Sequence, residues 1–362
     1  MNLNNTLIVL VILLSIFSCK AQREPAVREY FISHRNAERP VSDLIESYEF
    51  IQLEETKGAF FSNARRIIFN DGKIIILTGD KRILTFSESG DFIGSIDRQG
   101  RGPDEYEVLS DICLDEENGR IIASCHLKIV MFSPEGEILN QLTPGFRFNN
   151  VHLTGEGQLL FDIRMPGDKE ELNYNLVLTD TDLNLIDSRL PLPLLEGPGL
   201  ALYGQLNRTS AVPGKDYFLS LRCDTVYRVH EKSIVPGIVL NYDREVFSIT
   251  ATGDPEWEDT YNMIYYSETD DYTVMDFHYE NEFYTALIKD DGEAEIFKGA
   301  INISNTYKNS FIWAVYPSFL EEGINIIDPG REKCTNPEML KQYLDKPEEI
   351  GSLLMKVNIN YR

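Results

Sequence analysis

The chain is 362 residues long, 43% hydrophobic and 25% charged, the composition of a soluble globular protein and not of a disordered or fibrous one. Its 58 acidic residues outweigh 34 Lys and Arg, for a formal net charge of −24. That balance argues against a nucleic-acid partner, because phosphate-backbone binding needs clustered cations to displace counterions.

The first residues read as a targeting segment. Leu7–Phe17 is apolar but too short to cross a bilayer comfortably, and it runs into Ser18 and Cys19. Residues 1–18 are therefore expected to be a signal peptide. The Ile16-Phe17-Ser18-Cys19 run resembles a bacterial lipobox, which makes Cys19 the lipidated first residue of the mature protein. The alternative is an ordinary cleaved signal in which Cys19 is incidental. Residues 19–40, rich in charge and proline, read as a tether, and the folded domain is expected over 41–362.

Past the tether, Ser42–Ser47 predicts a helical turn with Ser42 as N-cap, and Tyr48–Leu53 alternates as a strand. Arg65–Phe69, Lys73–Leu77, Arg82–Phe86 and Asp91–Ile96 are short strands separated by turn residues, an antiparallel meander. The pattern then repeats. Phe86-Ser87-Glu88-Ser89-Gly90-Asp91-Phe92-Ile93 returns 46 positions later as Phe132-Ser133-Pro134-Glu135-Gly136-Glu137-Ile138-Leu139. A third copy starts at Leu178, with Asp182 in place of the glycine, and a similar interval reaches Asp224-Thr225-Val226-Tyr227. Periods of ~40–50 residues with four strands each mark a propeller, and roughly 310 residues at about 50 each give six blades. The expected fold is all-β: a six-bladed β-propeller of four-stranded antiparallel blades.

The repeat blurs after Asp243. Arg244–Thr269, with Trp257, Tyr261, Tyr265 and Tyr266, reads as a partly helical excursion whose aromatics either pack between blades or stack on a ligand. Strands resume at Tyr272–His278, Glu282–Ile288 and Glu293–Phe297, and Ser310–Tyr316 opens the last blade. Asn336–Leu344 predicts a short helix and Leu353–Tyr361 a terminal strand. Tyr48–Leu53 is expected to lie beside that strand and close the ring, hiding two sheet edges.

Apart from Cys19, the cysteines are Cys113, Cys125, Cys223 and Cys334, without zinc-like spacing. A hairpin of Asp111–Asp115 with Arg120–Cys125 sets Cys113 against Ile122 and Cys125 on the opposite face. No bridge between them is expected.

The most irregular stretch is Arg98-Gln99-Gly100-Arg101-Gly102-Pro103-Asp104-Glu105-Tyr106, where two glycines and a proline stop any regular structure. It reads as the junction between the first two full blades. Arg98 and Arg101 are candidates to bind a carboxylate or sugar acid, with Asp104, Glu105, Tyr106 and Asp111 lining a channel mouth. The competing reading is a turn that fixes blade spacing while its arginines pair with local acids. His34, His126, His152, His230 and His278 show no metal-ligand spacing; a metal site would need single residues from separate blades, such as Asp111, Asp162, Asp224 and His152.

The chain resembles the six-bladed β-propeller lipoproteins of Bacteroidota-type bacteria, relatives in shape of NHL-repeat propellers. The pieces that match are Cys19, Phe50-Ile51-Gln52-Leu53-Glu54-Glu55-Thr56, the Gly100–Tyr106 junction, Asp224-Thr225-Val226-Tyr227 and the 336–362 tail. The tail departs from relatives at Glu349-Ile350-Gly351-Ser352. The resemblance implies a lipid-anchored protein of the cell envelope. Lys20-Ala21-Gln22-Arg23 after the cysteine lacks the acidic run associated with surface export in this group, which favours the periplasmic face. A monomer with no membrane contact beyond the anchor is expected. Its expected function is non-enzymatic binding of an envelope protein or small ligand on the ring face or in the central channel. No cofactor is expected. The alternative is a metal-dependent hydrolase or lyase, NHL-like or lactonase-like, with calcium or zinc in the channel.

Overall fold

The computed structural model describes residues 26–163, 172–192, 208–209, 217–219, 224–243, 261–269, 271–280, 282–289, 293–301, 305–315 and 352–361. Among the described residues, three strands precede the first complete blade: β1 (Arg28–Ile32), β2 (Arg39–Pro40) and β3 (Ile45–Gln52). Blade one is β4 (Ala64–Asn70), β5 (Lys73–Thr78), β6 (Ile83–Ser87) and β7 (Phe92–Ile96). Blade two is β8 (Asp111–Asp115), β9 (Arg120–Ser124), β10 (Ile129–Phe132) and β11 (Ile138–Leu142), and blade three is β12 (Asn150–Leu153), β13 (Leu159–Asp162), β14 (Tyr174–Thr179) and β15 (Leu185–Pro191). Blade four follows as β16 (Arg208–Thr209), β17 (Tyr217–Leu219), β18 (Thr225–His230) and β19 (Ser233–Tyr242), and blade five as β20 (Asn262–Glu268), β21 (Thr273–Tyr279), β22 (Glu282–Ile288) and β23 (Ala294–Lys298). Blade six takes β24 (Thr306–Tyr307), β25 (Ser310–Val315) and β26 (Leu353–Ile359) from the end of the chain and β3 from its beginning. The molecule is a six-bladed β-propeller.

Closure is antiparallel, with Leu353 opposite Gln52, Val357 opposite Tyr48 and Ile359 opposite Ile45. Alternation along β26 explains why this strand suits its place. Leu353, Met355, Val357 and Ile359 face blade five, while Leu354 joins Ile67, Ile74 and Phe86 of blade one. The same logic holds around the ring. The buried apolar side chains described fall into six clusters, each lying between two consecutive blades. Cys113 belongs to the cluster between blades two and three, and Cys125 to the one between blades one and two. Both are free thiols, pushed up to about 12 by burial. Cys223 and Cys334 lie outside the described residues.

The sequence repeat is a turn. Ser87, Ser133 and Asp180 each accept, through a side-chain oxygen, the amide four residues on, at 3.0, 3.3 and 2.9 Å. The glycine slot has positive φ: +97° at Gly90, +89° at Gly136 and +66° at Leu183. The third copy is thus one residue later than the sequence alignment has it, with Leu183 and not Asp182 in that slot. Gly90 has a further reason to be glycine. A Cβ there would collide with the Gln52 carbonyl oxygen, and one on Gly136 would come within 2.9 Å of Ile96 Cγ1. The chain leaving one blade's outer strand therefore runs against the glycine turn of the next blade.

Part of the stretch read as tether is folded onto the ring. Strand β1 pairs in parallel with β19 and β2 with β23, adding a fifth strand to blades four and five. The two are joined by a 3-10 turn at His34–Asn36. The helical turn expected at Ser42–Ser47 is a 3-10 turn at Val41–Leu44, entered from Pro40 without a side-chain cap, and β3 starts at Ile45. Within Arg244–Thr269, residues 262–268 form β20, where a partly helical excursion was expected; the remainder up to residue 260 and the helix expected at Asn336–Leu344 lie outside the described residues. The last blade opens at Thr306.

Candidate functional site

Between Ile96 and Asp111 the chain must pass from the outer edge of blade one to the inner strand of blade two. Pro103 occupies the second position of a turn in which the Glu105 amide donates to the Gly102 carbonyl at 3.1 Å, a place where proline's fixed φ costs nothing. The Glu105 carboxylate folds back and accepts from the Gly102 amide at 2.8 Å. It fills the space a Cβ on Gly100 would need. Tyr106 amide donates to Arg98 carbonyl at 2.9 Å, and Gly100 amide to Tyr106 carbonyl at 3.2 Å. The loop is a closed hydrogen-bonded unit.

Tyr106 nails that unit to blade one. It is 2% exposed, and its hydroxyl donates to the Lys81 carbonyl at 2.8 Å; burial pushes its phenol up to about 12. Lys128 holds the loop from blade two. Its ammonium donates to the carbonyls of Pro103 (3.3 Å) and Glu105, and to Gln141 Oε1 at 3.2 Å.

Each sequence candidate can now be placed. Arg98 turns to the seam, donating to the Gly136 carbonyl at 3.2 Å. Asp104 accepts from Gln141 Nε2 at 3.2 Å on the outer side of the loop. Asp111 opens the inner strand of blade two and is buried against Arg66 of blade one, which donates to both its oxygens. Arg101, Glu105 and Tyr106 come together on one cleft of about 440 Å³, which Leu127, Lys128 and Arg147 complete. Arg101 is 88% exposed and paired only with exposed Glu107, at 2.6 Å. Leu127 stands 53% exposed beside it, following His126, whose φ of +63° kinks the turn between β9 and β10.

Arg147 is the member that sequence reasoning missed. It is exposed, and no carboxylate or acceptor among the described residues engages it. The signal was present: Thr143-Pro144-Gly145-Phe146-Arg147 is the equivalent junction one blade on. Ring geometry brings successive junctions over the same blade.

The metal candidates are engaged elsewhere. Asp162 is fully buried and accepts from Asn175 at 3.1 Å, Asp224 is exposed and accepts from the Thr225 hydroxyl, and His152 is buried on β12. Among the described residues, no group of three or more His, Cys, Asp or Glu is arranged to hold a metal. The described aromatics of that segment pack between blades, Tyr261 and Tyr266 between four and five and Tyr265 between five and six. Tyr261 and Tyr266 are buried, with their hydroxyls donating to Asp243 and Glu268 at 2.5 Å, and Tyr265 is half-buried. Trp257 lies outside the described residues.

Comparisons with known proteins agree with this architecture. A family model, the domain of unknown function DUF4934, matches residues 30–359. A crystal structure of a Bacteroides fragilis protein described as exported is similar with a TM-score of 0.72 and 17% identity, over 92% of this chain and all of that one. A member of the DUF4221 family from Bacteroides vulgatus is similar with a TM-score of 0.52 and 10% identity, over 88% of this chain and 97% of that one. At such identities the likeness is one of fold alone. No curated protein matches the chain.

Proposed function

The chain belongs to the DUF4934 family, and from that premise we propose that it is a non-catalytic, lipid-anchored propeller of the cell envelope that binds a ligand or partner on the ring face carrying its blade junctions. The observation that carries this reading is the cleft above blade two. It is built from two successive junctions and one turn, held in shape by Tyr106 and Lys128, and edged by groups the fold does not consume: Arg101, Arg147 and Leu127. Its volume suits a small molecule or one side-chain-sized part of a larger partner. Loops on a rigid scaffold are where binding groups are displayed.

The address rests on Cys19 after the apolar Leu7–Phe17 run, and the description of the Bacteroides fragilis protein as exported supports it. Lys20 and Arg23 follow Cys19 with no acid among the next four residues, which favours the periplasmic face. A photoreactive amino acid placed at Leu127 in the cell-borne protein tests the reading. Adducts are expected from Leu127 and not from Leu185, an exposed leucine on the outer strand of blade three. Adducts from Leu185 alone, or from neither position, contradict it.

A further inference from the structure

Resting on that reading of the cleft, we infer that its ligand carries a carboxylate, held by Arg147 and Arg101, on a ring-sized body that packs against Leu127. Of the two acids at the cleft, Glu105 is turned inward to the Gly102 amide, and exposed Glu107 takes only the Nε donor of Arg101. The three donors of Lys128 are taken by two carbonyls and Gln141, so it contributes charge and holds the loop. Arg147 has its guanidinium fork unassigned. Arg101 is tied only by an exposed pair, a kind of contact that contributes little and is readily exchanged. A protein of net charge −24 thus presents two available guanidinium groups at one cleft.

Carboxylate is favoured over phosphate because of the loop's amides. Phosphate sites commonly use successive backbone N–H groups pointing outward. Here the amides of Gly100, Gly102, Glu105 and Tyr106 all point inward, to Tyr106 O, Glu105 Oε2, Gly102 O and Arg98 O. What is left is planar, forked and fits a carboxylate edge-on. The exposed Leu127 side chain adds an apolar wall, which a bare inorganic anion would not use.

The test is calorimetric titration of the full-length protein in detergent with three six-membered-ring acids, D-glucuronate, D-galacturonate and cyclohexanecarboxylate, against D-glucose and D-glucose 6-phosphate. At least one acid is expected to bind, with D-glucose weaker by about tenfold or more, since a charge-assisted pair is lost. Arg147→Ala should lose about tenfold or more of that affinity without moving the melting temperature, and Arg147→Lys only part of it. Binding by none of the acids, or tighter binding of D-glucose 6-phosphate than of D-glucuronate, overturns the inference. The site and its chemistry fail separately: adducts at Leu127 that persist in an Arg101→Ala/Arg147→Ala variant sink the carboxylate and leave the site standing.

Discussion

Arg66, on the inner strand of blade one, donates from Nε and Nη2 to the two carboxylate oxygens of Asp111 at the head of blade two's inner strand. The side chains are only 14% and 11% exposed. Burial alone would lower the guanidinium's affinity for its proton, and the adjacent Asp111 charge more than reverses that. Removing either partner leaves a buried charge uncompensated, so Arg66→Ala or Asp111→Ala should each cost about 3–5 kcal/mol in urea unfolding. Arg66→Met with Asp111→Leu should recover most of the loss. A double variant as unstable as the singles would mean that the pair does more than join two blades.

Gly90 and Gly157 separate two costs of replacing a glycine. Both have positive φ, +97° and +77°, but only Gly90 faces a neighbouring backbone atom, the Gln52 carbonyl. Gly157→Ala should cost only the left-handed penalty, about 1–2 kcal/mol. Gly90→Ala should cost clearly more, because the seam between blades six and one must open. Equal effects in thermal melts would contradict the contact.

How much of this was legible beforehand depended on whether the signal was periodic. The 46-residue return of Phe86 as Phe132 carried the blade count, and alternation in Leu353–Ile359 carried the closure. The third repeat was misaligned by one because the shared feature is a φ angle, which Leu183 adopts without being glycine. Strands β1 and β2 were invisible because β2 is two exposed residues long and in β1 the outward Phe31 is as apolar as the buried Tyr30 and Ile32 on either side, which masks the alternation. Gly100–Tyr106 was identifiable as a junction, but its sequence could not say that Glu105 turns inward to its own loop. Nor could it say that Arg147, 46 residues after Arg101, shares its cleft.

The N-terminal strap should loosen in acid. Burial alone would push the Asp243 carboxyl up, but hydrogen bonds from Tyr261 and Ser33, with His34 and Arg35 nearby, hold it below its ordinary value of 3.8. A depressed carboxylate contributes stability that is complete above its unfolded value and is lost as pH falls through the folded one. Amide protection over residues 28–36 should therefore decline as the pH drops below about 4. In Asp243→Asn that part of the decline should vanish, and an unchanged acid profile in the variant would refute the assignment.

Strand β3 carries the closure of the ring. Deleting residues 41–55 exposes the full edge of β26 and its apolar residues, which invites edge-to-edge association. The truncated protein should be insoluble. A soluble form that melts in one cooperative step would show that the ring holds without its N-terminal strand.

The binding claim is met most directly by amide hydrogen exchange on the lipid-anchored protein in its own envelope, compared with the purified protein in detergent. Added protection is expected at residues 100–108, 125–128 and 145–148, the two junctions and the turn that enclose the cleft. Protection confined to the outer strands β7, β11 and β15, or no difference between the two preparations, would contradict it.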